Sequence, residues 1–370
     1  MKAIVVAGAR PNFMKVKPVI DALERRGVQT VLVHTDQHYD VAMSDVFFSE
    51  LGLRAPDYHL RVGSGTHAVQ TSRVMVGFEP LLDAEEPDVV VVAGDVNSTM
   101  ACAVVGAKAG VIVAHVEAGL RSRDWSMPEE INRVVTDRVS DYLFASSNDA
   151  AVNLAAEGYR PDQIHLVGNV MIDTLLANVE RARSRPIRND LGLASRHFGL
   201  VTLHRPSNVD DSDVLSPILE ALGKVAQDCP LVFPVHPRTR QKLQELDVPT
   251  GVMLTDPLGY LDFIALESEA TIVLTDSGGV QEETTALGVP CLTLRENTER
   301  PITVLEGTNT VVGRKAEDIV ANAQRVLRDG VLPRCPKLWD GRAGDRIAEV
   351  LVSAPPRMDR LRPTDVVAGR

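Results

Sequence analysis

The sequence predicts an α/β protein made of two doubly wound parallel sheets that face each other across a cleft. Three observations carry that expectation. Short runs of apolar, β-branched residues recur along the chain, each followed by a polar turn and a helix-length segment. The runs are apolar throughout rather than alternating, as strands buried on both faces require. The same beat starts afresh after a charge-rich stretch from Arg181 to Asn189, which gives two halves.

Ala3 to Ala7 is the first strand, Gly8-Ala9-Arg10-Pro11-Asn12 its turn, and Phe13 to Arg25 a helix carrying Lys15 in its first turns. Val28 to His34 is the second strand. Gln37-His38-Tyr39-Asp40 follows, then a helix near Met43 to Leu51. Arg61 to His67 reads as a loop and Ala68 to Asp83 as a helix. Pro87 to Ala93 is a strand ending in Gly94-Asp95, Met100 to Ala109 a helix, and Val111 to Val116 a strand followed by Glu117-Ala118-Gly119. Ser126 and Glu129 have capping-box spacing, and Pro128 suits the first turn of the next helix. Tyr142 to Ala145 and Ile164 to Val167 are strands around a helix from Ser147 to Gly158. The crossover falls near Val167 to Asp173. The expected domains are therefore 1–169 with the tail 353–370, and 170–352.

The second half repeats the pattern. Its strands are Phe198 to Leu203, Leu231 to Val235, Val252 to Thr255, Ala270 to Thr275, Cys291 to Leu294 and Thr310 to Val312. Helices follow at Val214 to Ala226, from Tyr260, at Val280 to Leu287 closed by Gly288, at Ala316 to Leu327 and at Asp345 to Leu351.

Composition excludes several functions. A net charge of −11 argues against binding nucleic-acid backbone, and 4% aromatic residues against a base-stacking surface. No run is long enough to span a membrane, and the apolar N-terminus is too short for a signal peptide. The four cysteines, Cys102, Cys229, Cys291 and Cys335, lack metal-ligand spacing and read as buried free thiols of a reducing compartment. A cytoplasmic protein is expected, with no cofactor and no metal. His34 and His38 are four residues apart, but they straddle a strand end and its loop, so their rings need not converge.

Ligands of open α/β sheets bind beyond the carboxyl ends of the strands, and polar residues gather there. Asp276-Ser277-Gly278-Gly279 lies where a strand turns into a helix. Two glycines leave backbone N–H groups unobstructed at a positive helix end, which suits a phosphate. The same stretch also suits an ordinary turn capped by Ser277. Glu282 and Glu283 would repel a phosphate and fit ribose hydroxyls better. His204 and His236 end strands and precede arginines, and Arg295 and Arg300 could add charge for a diphosphate. In the first half Arg10, Lys15, Asp95 and Glu117 stand at strand ends. Asp95 also suits a cap on the following helix, and Glu129 and Arg133 share a helix face. Neither half holds Gly-x-Gly-x-x-Gly or a Gly-Lys-Ser/Thr loop. Two Rossmann-like halves, one with a phosphate turn and one with acids, read as a nucleotide-sugar site.

Gly8-Ala9-Arg10-Pro11, Gly94-Asp95, His115-Val116-Glu117-Ala118-Gly119-Leu120-Arg121, Pro128-Glu129-Glu130-Ile131-Asn132-Arg133, Gly168-Asn169, His204-Arg205, Asp276 to Glu283 and Thr298-Glu299-Arg300-Pro301 together resemble the UDP-N-acetylglucosamine 2-epimerase family, non-hydrolysing type, in order and as far as about Val352. The resemblance implies a glycosyltransferase-B-like fold, a homodimer, and interconversion of UDP-GlcNAc and UDP-ManNAc through elimination of UDP. It implies catalytic roles for Asp95, Glu117, Glu129 and His204. It implies UDP-sugar contacts for Arg10, Lys15, Arg133, His236, Phe263, Ser277, Gly278, Gly279 and Glu283, with Phe263 beside the uracil. Gln37 and His38 match a loop through which substrate regulates some members. The sequence departs from many bacterial members at Ala9, Asn12 and Ser207, and residues 63–70 lack the arginine tied to activation by substrate. A hydrolysing epimerase, an epimerase of a diacetamido-uronic sugar and a nucleotide-sugar sensor without turnover are the alternatives.

Overall fold

The computed structural model describes residues 1–36, 50–193, 197–235, 237–243 and 245–353. Contacts divide the chain into two compact units, Met1–Thr174 with Lys337 onward, and Leu175–Pro336.

The first unit holds β1 (Lys2–Ala7), α1 (Arg10–Arg25), β2 (Gln29–His34), β3 (Tyr58–His59), α2 (His67–Glu85), β4 (Val89–Ala93), α3 (Asn97–Lys108), β5 (Ile112–Ala118), α4 (Pro128–Val139), β6 (Tyr142–Ala145), α5 (Asn148–Ala156), β7 (Ile164–Leu166) and the start of α6 (Val170–Arg183). Its seven strands run in the order β3-β2-β1-β4-β5-β6-β7, all parallel. The central strands β1 and β4 are buried on both faces, which is why their sequences are continuous apolar runs. Ile4, Val6, Val90 and Val92 pack with Val74, Phe78 and Leu82 of α2 on one side.

The second unit holds α7 (Ile187–Asp190), β8 (Gly199–Thr202), α8 (Pro206–Val209), α9 (Ser212–Asp228), β9 (Leu231–Pro234), α10 (Pro237–Leu243), β10 (Val252–Thr255), α11 (Tyr260–Glu267), β11 (Ile272–Thr275), α12 (Gly278–Leu287), β12 (Cys291–Thr293), α13 (Pro301–Leu305), β13 (Asn309–Val311) and α14 (Ala316–Asp329). Six parallel strands run β10-β9-β8-β11-β12-β13. Helices α9 and α14 pack together over one face, with Leu215, Ile218, Leu222 and Ile319 meeting Val201, Leu274 and Leu292 of the sheet.

Both sheets reverse their strand order at one place, between β1 and β4 and between β8 and β11. At such a switch point the connections leave in opposite directions and open a crevice at the strand ends. The glycine turns and most of the expected site residues stand there.

The last helix, α15 (Ala343–Ser353), packs on α1 of the first unit, whereas the sequence reading groups residues up to 352 with the second half. Its first turn is held by Asp173, whose carboxylate accepts from the Ala343 and Gly344 N–H groups at 3.0 and 2.7 Å. Gly344 admits α1 closely: a Cβ there would lie 2.5 Å from the Pro18 carbonyl oxygen. Trp339 donates to the Ser146 carbonyl at 2.9 Å. The strand β3 is also absent from the sequence reading, because two residues are too few to carry a period. The helix expected near Met43 to Leu51 falls almost wholly outside the described residues, as does the tail after Ser353. Cys102, Cys229 and Cys291 are buried as expected, while Cys335 is exposed. No described helix is long and apolar enough to cross a membrane.

Candidate active site

Arg10 opens α1 directly after the turn that follows β1. Asn12, in the same turn of helix, accepts from the Ala9 N–H at 2.9 Å and donates to the Ala93 carbonyl at 2.8 Å, so it ties the start of α1 to the end of β4. Lys15 comes one turn later and forms an ion pair with Glu117, both side chains being largely buried. Gly94 makes this convergence possible. Its φ is +72°, and a Cβ there would lie 2.9 Å from Lys15 Nζ and 3.5 Å from Glu117 Oε2.

Glu117 itself sits in the left-handed region at φ +68°, beside a register shift between Val116 and Ala118 where β5 pairs β6. A non-glycine residue there is strained and must be held by its surroundings. His115, fully buried, bridges Asp137 at 2.6 Å and the Gly94 carbonyl at 2.9 Å. Asp137 in turn accepts from the Gly119 N–H at 3.1 Å and pairs with Arg121 at 2.7 Å. The turn is therefore pinned on both sides of Glu117. One carboxylate oxygen of Glu117 faces Lys15, and the other is buried with no hydrogen-bond partner among the described residues. That second oxygen has its acceptor positions open.

Asp95 follows Gly94. It does not cap α3, whose N-cap is Val96; its carboxylate instead pairs with Arg133 at 2.5 Å. Asn132 donates to the Asp95 carbonyl at 2.9 Å. The expected capping box between Ser126 and Glu129 does not form. The N-cap of α4 is Met127, and the Ser126 hydroxyl donates to Asp124 at 2.6 Å. Glu129 is left half-buried in the first turn. Its neighbour Glu130 gathers the preceding loop, accepting from the Ser122 and Arg123 N–H groups at 2.9 and 2.8 Å and from Arg133 at 2.8 Å. Burial works against the Glu130 anion, but these donors outweigh it and hold its carboxyl below the usual range. Arg133 is thus shared by Glu130 and Asp95.

In the second unit, α12 starts at Gly278, and its N-cap Ser277 makes no side-chain cap, so the ordinary capped turn is not what is built. The first N–H groups of such a helix have no carbonyl of their own turn to bond. Gly278 is needed for a close approach: a Cβ there would lie 3.0 Å from Glu299 Oε1. Glu299 lies between Arg205 and Arg295, at 3.0 and 2.8 Å. Despite the cost of burial, Arg300, Arg295 and Arg205 hold its carboxyl far below the usual range. Arg300 also pairs with Glu282 at 2.7 Å. Arg295 and Arg300 are thus buried ion-pair partners, and Glu282 is engaged by an arginine rather than open to ribose.

His204 stands two residues past the end of β8 and is exposed, with its Nδ1 3.0 Å from Asp276. Phe263, in α11, is half-buried against Leu266, Val273 and Val280. Glu283 is buried close to Tyr260 and Glu267, and one of its oxygens has no partner among the described residues. Burial first, and the nearby Glu282 charge second, push its carboxyl up to about 8. His236, Gln37 and His38 lie outside the described residues.

One further cluster could bind a metal. His34, Asp36 and His59 bring their donor atoms within 4.8 Å of one another. Asp36 already takes His34 at 2.5 Å, His59 at 3.1 Å and the Arg61 N–H at 3.2 Å, so the cluster is satisfied as a hydrogen-bonded corner.

Sequence reasoning found the strand-end residues through their position. It missed Asp276, Asp137, Glu130 and the pairing role of Glu299. Asp276, Glu130 and Glu299 lie in the quoted motifs, which was their only signal; Asp137 lies outside them and had none.

Two parallel α/β units, each with its polar residues at the switch point, place the protein in the glycosyltransferase-B-like class. Residues 21–352 match the profile of the UDP-N-acetylglucosamine 2-epimerase family, and the chain belongs to that family. It is 42% identical over 363 residues to the UDP-N-acetylglucosamine 2-epimerase of Methanocaldococcus jannaschii, covering 95% of this chain and 99% of that one. It is also 42% identical over 356 residues to the UDP-2,3-diacetamido-2,3-dideoxy-D-glucuronate 2-epimerase of Pseudomonas aeruginosa, covering 95% and 99%. The crystal structure of the M. jannaschii enzyme in complex with UDP-GlcNAc and UDP superposes with a TM-score of 0.87 at 41% identity, covering 96% of this chain and 100% of that one.

Proposed function

We propose that this protein interconverts UDP-GlcNAc and UDP-ManNAc at C2 by expelling UDP and taking it back. The observation that carries the reading is Glu117: a buried carboxylate in a strained turn, with one oxygen on Lys15 and the other without a donor.

The C2 proton has no adjacent carbonyl to acidify it. Its removal is coupled to departure of UDP from C1, which leaves a 2-acetamidoglucal with a C1–C2 double bond. UDP then adds back to C1 while a proton reaches C2 on the opposite face. Inversion therefore needs carboxyl groups on two sides of the ring, and Asp95, Glu117 and Glu129 supply them. Arg133 fixes Asp95, and Lys15 holds Glu117 in place. Arg10, Lys15 and Arg133 bind the substrate on this side.

Ser277, Gly278 and Gly279 bind the diphosphate through helix N–H groups. Glu283 takes the ribose, Phe263 lies against the uracil, and His236 and His204 contact the phosphates. His204 assists the leaving group. The glucal is reactive and UDP must not escape, so the site closes during turnover. The protein works as a homodimer in the cytoplasm; light scattering on the purified chain tests the first of these.

The test is incubation of UDP-GlcNAc in deuterated water, followed by NMR at C2 and chromatography. Deuterium in both epimers with UDP still attached supports the reading. Free ManNAc with UDP makes the protein a hydrolysing epimerase, and binding without label makes it a sensor. Label in the diacetamido-uronate substrate alone moves it to that sugar.

A further inference from the structure

Asp276 takes no part in the chemistry above, yet its surroundings are built around His204. It is fully buried at the end of β11, next to β8 in register, with Thr275 opposite Thr202. Its carboxylate accepts from the His204 N–H at 3.1 Å, the Arg205 N–H at 3.0 Å and Asn208 Nδ2 at 3.1 Å. It also lies 3.0 Å from His204 Nδ1, while the rest of that side chain is 54% exposed.

From this geometry we infer that Asp276 is the positioning residue for His204. It fixes the ring tautomer with hydrogen on Nδ1, so that Nε2 faces the leaving phosphate oxygen of the nucleotide. The inference rests on the proposed role of His204 as the group that assists departure of UDP.

An ionised carboxylate only accepts hydrogen bonds, so Nδ1 at 3.0 Å carries a hydrogen. Burial disfavours the Asp276 anion, but the bonds from His204 and Arg205 outweigh it and hold the carboxyl below its usual range. A negative charge behind the ring compensates the positive charge that arises when Nε2 is protonated. The proton balance is then simple. The ring enters the step as imidazolium, with hydrogen on both nitrogens: as the C1–O bond breaks, its electron pair passes to the phosphate oxygen and Nε2 gives that oxygen its proton, leaving the neutral ring with hydrogen on Nδ1. When the oxygen re-bonds to C1, the proton returns to Nε2. Nδ1 keeps its hydrogen on Asp276 throughout. The Arg205 and Asn208 bonds keep the loop itself from turning, so the ring is aimed before substrate arrives.

Two measurements test this. The first is nitrogen-15 NMR of the histidine-labelled full chain, with the His204 signals assigned through His204→Asn. The expected spectrum shows Nδ1 protonated from pH 6 to 9, with any titration confined to Nε2. A neutral ring carrying its hydrogen on Nε2, with Nδ1 bare, overturns the inference whether or not the protein is active. The second is Asp276→Asn, which should lower kcat for C2 epimerisation about a hundredfold or more, by analogy with loss of a tautomer-fixing carboxylate, with UDP Kd within threefold. Unchanged kcat overturns the inference. An equal loss of kcat and UDP affinity also overturns it, because that marks Asp276 as a mere loop anchor. If the variant does not fold, the wild-type spectrum decides alone. If the wild type shows no epimerisation but the expected tautomer, the positioning stands and the proposed function fails.

Discussion

At the end of β5, Glu117 keeps one oxygen on Lys15 and leaves the other without a donor; at the end of β11, Asp276 gives its whole carboxylate to the His204–Asn208 loop. Both are buried acids at a strand end beside a switch point. They differ in what surrounds them. In the first unit Glu117 is left with an oxygen free of donors among the described residues, and the proposed function directs that oxygen at the ligand. In the second unit three acids around the phosphate turn are consumed: Asp276 by His204 and the loop, Glu299 by Arg205 and Arg295, Glu282 by Arg300. What they leave facing outward is N–H and imidazole. In the proposed function the unspent acceptor is the base, and the spent ones frame the anion site.

On that contrast, disturbing the acid site of the first unit should damage turnover, and disturbing the phosphate turn of the second, at Gly278, should damage affinity. Among changes to the backbone that frames the site, Gly94→Ala should have the largest effect. Alanine is disfavoured at φ +72°, and its Cβ meets Lys15 Nζ at 2.9 Å, so the ion pair with Glu117 must move. Turnover should fall about a hundredfold or more with UDP Kd within threefold, as read by steady-state kinetics and calorimetry. Equal damage to both would break the contrast.

Asp173 is a carboxylate that faces backbone donors rather than a bonded cation, and it shows what burial does without one. Burial pushes its carboxyl up to about 6 from 3.8, against the help of the Gly344 and Ala343 N–H groups. The folded state therefore binds more protons than the unfolded chain between about pH 4 and 6. Stability from this group is full below the unfolded pKa and is lost as pH rises through the folded one. Discounted for partial exposure, the change is about 2 kcal/mol. Urea unfolding at pH 4 to 7 should show it, and Asp173→Asn should flatten the slope, with its loss of stability largest at pH 4, where the native carboxyl is protonated. A slope of the same size in the variant would assign it to other groups.

Gly278→Ala should have the smallest of these effects. Its Cβ would lie 3.0 Å from Glu299 Oε1 and would crowd a phosphate, so UDP affinity should weaken about tenfold. With saturating substrate, kcat should change little. A loss confined to kcat would mean that the turn is not an anion site.

Much of the fold was legible because parallel strands covered on both faces leave unbroken apolar runs, as in β4 and β11. The return of α15 to the first unit was not. Amphipathic spacing says that a helix covers something, not which sheet, and the decisive contacts are Asp173 to Ala343 and Gly344 across some 170 positions. The capping box failed for a local reason: Ser126 found Asp124 two residues back, and α4 began one residue after Met127. Position alone found Asp95 and Glu117. It could not separate Glu129 from Glu130, because adjacent helical side chains point about 100° apart and only one of them can turn back onto the loop. Nor could it show that Arg295 and Arg300 are matched by buried acids: Arg295 meets Glu299 within the loop after β12, and Arg300 meets Glu282 of α12 only once that loop is folded.

The central claim is that Glu117 exchanges the C2 proton while the nucleotide is held by other residues. Glu117→Gln, incubated with UDP-GlcNAc in deuterated water, measures it directly when calorimetry with UDP is run alongside. The account predicts loss of C2 label by a thousandfold or more, an order of magnitude set by removing a general base at a reacting carbon, and a UDP Kd within a few-fold of wild type. Undiminished C2 exchange in that variant would contradict it.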